Sequence, residues 1–212
     1  MKLALKPTAK KIALSMTLML AIVPVLLLLT AISAAITLSS GPNGVAGAFS
    51  IGAILLIAAE LVFFVNYIIG LYLFRNNLRE LGRDEEGMKH IINGIWIAIG
   101  SGFLAGFVTA VVSPQVGSVL SLLSLIGAYM MWAGAKIMTE QFRSMKFFQL
   151  GYLISLCAAA VSGVCAFLPE ENIIVPLIMA IAMIASIGGT VLTVIGWWKL
   201  VAETSRLDDE QS

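Results

Sequence analysis

Six apolar runs, each long enough to cross a bilayer, leave this 212-residue chain few ways to fold. They cover residues 12–38, 45–74, 91–112, 116–138, 147–168 and 173–201. A helix needs about 20 predominantly apolar residues to span the hydrocarbon core, and each run meets that length. Lipid offers no partner to an unpaired peptide group, so runs of this kind are expected as helices whose hydrogen bonds close within the segment. Hydrophobic residues make up 59% of the chain and charged residues 12%, about half the charged share of an ordinary soluble domain. The expected architecture is therefore an all-α integral membrane protein with one domain over residues 1–212.

The charges orient it. All thirteen Lys and Arg residues fall in the N-terminal segment, in the linker at 75–90, between Lys136 and Lys146, or at the C-terminal end. The alternate connections, SSGPNG, SPQVG and PEEN, contain none. Under the positive-inside rule this places both termini in the cytoplasm. The expected bundle then consists of three antiparallel hairpins, at about 12–74, 91–138 and 147–201, with a cytoplasmic linker at 75–90 and a cytoplasmic tail at 202–212. A cleaved secretory signal is the rival for the first run, which is too long for one and is expected to remain as a helix. The six-span layout resembles that of small bacterial membrane proteins, although no residue motif carries the likeness. The expected location is a bacterial or archaeal cytoplasmic membrane.

The second helix of each hairpin ends in a similar way: Gly70-Leu-Tyr-Leu-Phe-Arg75, Gly134-Ala-Lys136 and Gly196-Trp-Trp-Lys199. This reads as threefold repetition in parallel orientation, though any string of hairpins carries some of the same pattern. All Trp and Tyr residues fall in the inner half of their runs, as an interfacial aromatic belt would. Pro24 and Pro176 are expected to bend the first and sixth helices. The linker, with Leu78, Leu81 and Met88 among its charges, is compatible with a short surface helix.

Packing has its own signature. Gly94, Ala98, Gly102, Gly106 and Ala110 recur every four residues on the third helix and include a GxxxG match. Small side chains at that spacing let two backbones approach closely. The expected partner is a helix of the same bundle, and the competing partner is a second copy of the chain or another membrane protein.

Chemistry is sparse. No HExxH, GxSxG or Gly-rich phosphate loop is present, so neither an enzyme nor a bound metal or cofactor is expected. The near-neutral charge of +1 gives no reason to expect nucleic acid, leaving the lipid bilayer as the one certain partner. Cys157 and Cys165 lie eight residues apart on one helix, about 12 Å, which is too far for a disulfide. Glu60 is the one ionisable group near mid-span. A carboxylate there costs several kcal/mol unless it is hydrated, paired or protonated, so it is expected to face the bundle and to mark an ion or ligand site. Thr30, Ser101, Ser124 and Ser186 are the candidate hydrogen-bond partners for the alternative, in which Glu60 serves only as packing glue. Two functions follow: a transporter, channel component or ligand-binding membrane subunit built on Glu60, and a non-catalytic scaffold that binds partners or self-associates through its small-residue faces. Transport is preferred, because a pure scaffold has no evident need for Glu60.

Overall fold

A computed structural model describes residues 5–40, 44–112, 116, 120, 122–165 and 174–210. Among these, all regular structure is helical: α1 (Leu5–Ser40), α2 (Gly44–Glu80), α3 (Glu86–Val111), α4 (Leu123–Met138), α5 (Met145–Cys165) and α6 (Ile174–Glu210). Five are long and apolar enough to cross a membrane, whereas α4 has 16 described residues, about 24 Å of helix. Pro42, Pro114, Pro169 and Phe167 lie outside the described residues, as does most of each connection that lacks basic residues.

The helices pair as α1–α2, α3–α4 and α5–α6, then close into a ring through α1–α6, α4–α5 and a thin α2–α3 seam. Glycines set the closest crossings. A Cβ added at Gly94 would lie 2.5 Å from the Gly127 carbonyl oxygen, and one at Gly151 would lie 2.5 Å from that of Gly189. Gly70 meets the Ile12 side chain at 2.7 Å in the same sense. At these points backbone lies against backbone or branched side chain, which maximises dispersion where lipid supplies no hydrophobic force.

Aligning the hairpins on Gly70, Gly134 and Gly196 brings their buried positions into register. Leu71, Ala135 and Trp197 are fully buried, as are Phe74, Met138 and Leu200, and then Leu78, Phe142 and Thr204. The first helices align as well, through Ala9, Met88 and Met145 and then Ile12, Ile91 and Phe148, all fully buried. Even the contacts between hairpins repeat. The Trp96 Nε1–H donates to the Tyr72 hydroxyl at 3.1 Å, and the Trp198 Nε1–H donates to Thr17 at the matching pair of positions, at 3.0 Å. The threefold repetition is thus present in the packing, even though few residue identities survive it.

The core is lopsided. All the large, fully buried side chains lie toward the ends of the helices that carry the basic residues, and an aromatic cluster seals that end. The Trp197 ring meets Phe148 edge-on at 4.6 Å and Phe74 at 6.1 Å, and Phe74 lies 6.2 Å from Phe142. Toward the other end, among the described residues, only small residues such as Ala53, Ala105 and Ala182 are buried, while Leu55, Leu61, Phe103, Phe107, Ile181 and Ile184 are exposed.

Several local expectations change. The linker at 75–90 is no separate element: α2 runs on to Glu80 and α3 starts at Glu86. Gly82, at φ +66°, ends α2, and the Arg83 N–H reaches back to the Leu78 carbonyl. Most of the tail at 202–212 belongs to α6. Pro176 falls in the first described turn of α6, where its missing N–H costs nothing, while Pro24 lies inside α1. The aromatic belt divides: Tyr72, Trp96, Tyr129 and Trp198 are exposed as headgroup-level residues should be, but Tyr67, Tyr152 and Trp197 are core.

Candidate functional site

Glu60 sits on α2, seven residues before the buried Tyr67 and eleven before the buried Leu71. At 100° per residue both offsets return to within about 40° of the same direction, so Glu60 lies on the face that α2 turns toward the bundle interior. It is half-buried, and among the described residues its carboxylate makes no hydrogen bond or ion pair. Asn66 does not extend this polar spot, because its side-chain amide donates to the Val62 carbonyl of its own helix at 3.0 Å.

The threefold register gives Glu60 two counterparts. Ser124 on α4 and Ser186 on α6 occupy the matching positions, ten residues before Gly134 and Gly196 as Glu60 is before Gly70. Both are half-buried. Ser186 lines a cavity of about 290 Å³ between α5 and α6, together with Ser155 and Ser162. One interior level of the ring therefore carries a carboxylate and two hydroxyls, placed one helical hairpin apart.

The other two hydroxyls singled out from the sequence bond within their own helices. Thr30, exposed on α1, donates to the Leu26 carbonyl at 3.0 Å, and the buried Ser101 on α3 donates to Ala98 at 3.0 Å. A hydroxyl in a helix readily bonds back to the preceding turn, which uses its one O–H and leaves its oxygen as an acceptor.

Below the level of Glu60 lies the seal. The Tyr67 hydroxyl is within reach of Tyr152 and of the Trp197 indole, yet the Trp197 Nε1–H makes no hydrogen bond of good geometry. This buried polar node belongs to three different helices and stands directly above the Phe74–Trp197–Phe148 cluster.

The small-residue stripe on α3 splits. Gly94 and Ala98 lie against Gly127 and Met131 of α4, as expected for contact within the bundle. Gly102 and Gly106 do not: among the described residues, an added Cβ at either would meet nothing within 4 Å. They line an open groove of about 500 Å³ beside Phe103 and Phe107. Ala110 lies beyond them and is exposed. The physical reason is that the close α3–α4 approach described here runs through Gly87, Gly94 and Ala98, below the start of described α4.

Outside the bundle interior, ion pairs tie the α2–α3 turn. Glu85 accepts from Arg75 at 2.7 Å and lies 3.0 Å from Lys89. The hydrogen bond from Arg75, and then that from Lys89, hold its carboxyl below the usual carboxylate range. Mixed charge in the linker does not reveal this pairing, because it depends on where Gly82 turns the chain.

No family model matches the chain, and no curated protein or solved structure is similar to it.

Proposed function

We propose that the protein is a six-span membrane protein, both termini cytoplasmic, that moves or binds a small cationic solute at a site centred on Glu60. The observation that carries this reading is Glu60 itself: an interior-facing carboxylate within a long apolar helix, with no bonding partner among the described residues. A packing role would require such a partner, because an unpaired buried carboxylate costs several kcal/mol. A proton or a cation entering from the loosely filled end supplies one. In this reading Ser124 and Ser186 offer further oxygen ligands at the same level, and the Tyr67–Trp197 node with its aromatic seal is the barrier that must open for passage. The lopsided core supports a state closed at the cytoplasmic end.

The test uses the purified protein in liposomes with an internal pH reporter. The parent is expected to dissipate a pH gradient when a permeant-cation gradient is imposed. Glu60→Gln is expected to fold normally and to lose that flux, since Gln retains shape and hydrogen bonding but cannot titrate. An inactive parent, or a Gln variant as active as the parent, defeats the proposal.

Orientation is tested separately by cysteine labelling after Cys157 and Cys165 are replaced. A cysteine at Asn43, Gln115 or Asn172 is expected to react with an impermeant thiol reagent added outside, and one at Asn77 or Ser144 to be protected. The opposite pattern reverses the topology, and labelling of only some outer positions breaks the six-span count.

A scaffold is the second reading, and the open face at Gly102 and Gly106 is what favours it. If flux is absent, that face becomes the place to look for a partner helix.

A further inference from the structure

The face of α5–α6 turned away from Ser186 carries two cavities in line. The first lies at the inner end, has a volume of about 360 Å³, and is lined by Arg143, Ser144, Phe147, Lys199, Glu203 and Arg206 among others. Its one carboxylate is committed. Glu203 accepts from the backbone N–H of Arg143 at 2.9 Å and from that of Ser144 at 3.0 Å, capping the start of α5. Its three cations, Arg143, Lys199 and Arg206, form no ion pair among the described residues. Lys199 is held at the mouth with its Nζ 3.8 Å from the centre of the Phe147 ring. Ser144 is only 6% exposed, and its hydroxyl has no hydrogen-bond partner among the described residues.

The second cavity, about 370 Å³, is lined entirely by apolar side chains, including Ile154, Val161, Ile178, Ile181 and Ala185. Phe147, Ile154 and Val161 are spaced by seven residues on α5, and Lys199 stands fourteen residues, twice that spacing, after Ala185 on α6. Seven residues make nearly two turns, so both cavities open on one stripe of each helix. The exposed Leu150 and Ile195 lie between them. From Phe147 to Val161 the stripe runs about 21 Å, the reach of a long acyl chain.

We propose that this groove binds one anionic phospholipid of the leaflet at the basic end of the bundle. The phosphate lies among Arg143, Lys199 and Arg206 with the Ser144 hydroxyl as a further donor, and one acyl chain follows the stripe outward. Charge selects the headgroup: the mouth carries three cations against the one Glu203 carboxylate, whose oxygens are taken up by backbone N–H groups, and an anionic lipid answers the excess where a zwitterionic one brings its own cation. The apolar floor selects a lipid over a free anion. The inference rests on the membrane placement proposed above, but not on any role for Glu60.

Native mass spectrometry of the full chain, equilibrated in detergent with equal amounts of dioleoyl phosphatidylglycerol and dioleoyl phosphatidylcholine, tests it without any flux measurement. Retention of a single phosphatidylglycerol, at least tenfold over phosphatidylcholine, is expected. Lys199→Gln and Arg206→Gln should each reduce that retention about fivefold, the contribution of one basic residue near an anionic surface. Arg79→Gln removes an equal charge from the end of α2 and should leave it unchanged. Ala185→Phe, which fills the apolar floor and touches no cation, should also reduce it. Equal retention of the two lipids, or equal losses in the Arg79 and Lys199 variants, overturns the site in favour of diffuse attraction. Displacement of the lipid by millimolar inorganic phosphate, or full retention in Ala185→Phe, overturns the lipid assignment in favour of a free-anion site. A thermal melt of each variant matching the parent shows that the losses are not unfolding.

Discussion

Substituting alanine along the α3 stripe should separate two glycine pairs that look alike in the sequence. At Gly94 a methyl group would stand 2.5 Å from the Gly127 carbonyl oxygen and 2.8 Å from the Met131 Cγ. Ordinary contact begins near 3.4 Å, so the helices must separate by about 1 Å at that crossing. Met131 can swing aside, but a helical carbonyl cannot. A gap of 0.5–1 Å forfeits roughly a quarter to a half of each dispersion contact around the crossing, and overpacking in cores costs about 1–3 kcal/mol. Replacing Gly by Ala returns up to about 1 kcal/mol of helix propensity, which offsets only part of that cost. Gly94→Ala should therefore destabilise by about 1–2 kcal/mol, and Gly127→Ala, whose added methyl meets Gly94 and Ala98 backbone atoms, by a similar amount. Gly102→Ala and Gly106→Ala meet nothing within 4 Å among the described residues and should be neutral or slightly stabilising. Thermal unfolding of the four purified variants in one detergent provides the comparison. If Gly102→Ala melts as early as Gly94→Ala, the assignment of the α3–α4 crossing to the lower part of the stripe is wrong.

The aromatic seal makes a second prediction. Trp197→Ala should cost about 3–5 kcal/mol by emptying the centre of the cluster, whereas Trp197→Phe should cost under about 1.5 kcal/mol because the indole N–H makes no hydrogen bond to lose. Equal melting temperatures for the two variants would refute a packing role for the ring. The Glu85 ion pair predicts a pH dependence. A carboxyl held below its unfolded value contributes stability that is fully present above that value and is lost as the pH falls through the folded one. Melting temperature should thus fall on acidification below the normal carboxylate range, and less steeply in Glu85→Gln, so parallel pH curves for parent and variant would exclude the pair as a contributor.

The membrane character of the chain was legible in its residues because lipid imposes a one-dimensional rule: about 20 apolar residues in a row form a helix, whatever surrounds them. The long helices α1, α2, α3, α5 and α6 follow from that rule, and the basic residues can be read directly as clustered at one set of helix ends. The repeat was legible only in outline. Gly70, Gly134 and Gly196 mark it, but positions such as Leu71, Ala135 and Trp197 share burial and not chemistry, and burial is decided by neighbours. The interior placement of Glu60 could be expected from the cost of facing lipid, and on α2 it shares a face with the buried Tyr67 and Leu71. Its relation to Ser124 and Ser186 as counterparts in one ring required the hairpins to be set in register. Tertiary structure alone decided which glycines touch, which aromatic residues leave the interface for the core, and where the linker turns. Each of these depends on the distance between two helices, and a helix pattern in sequence specifies the face that is presented but not how closely another helix approaches it.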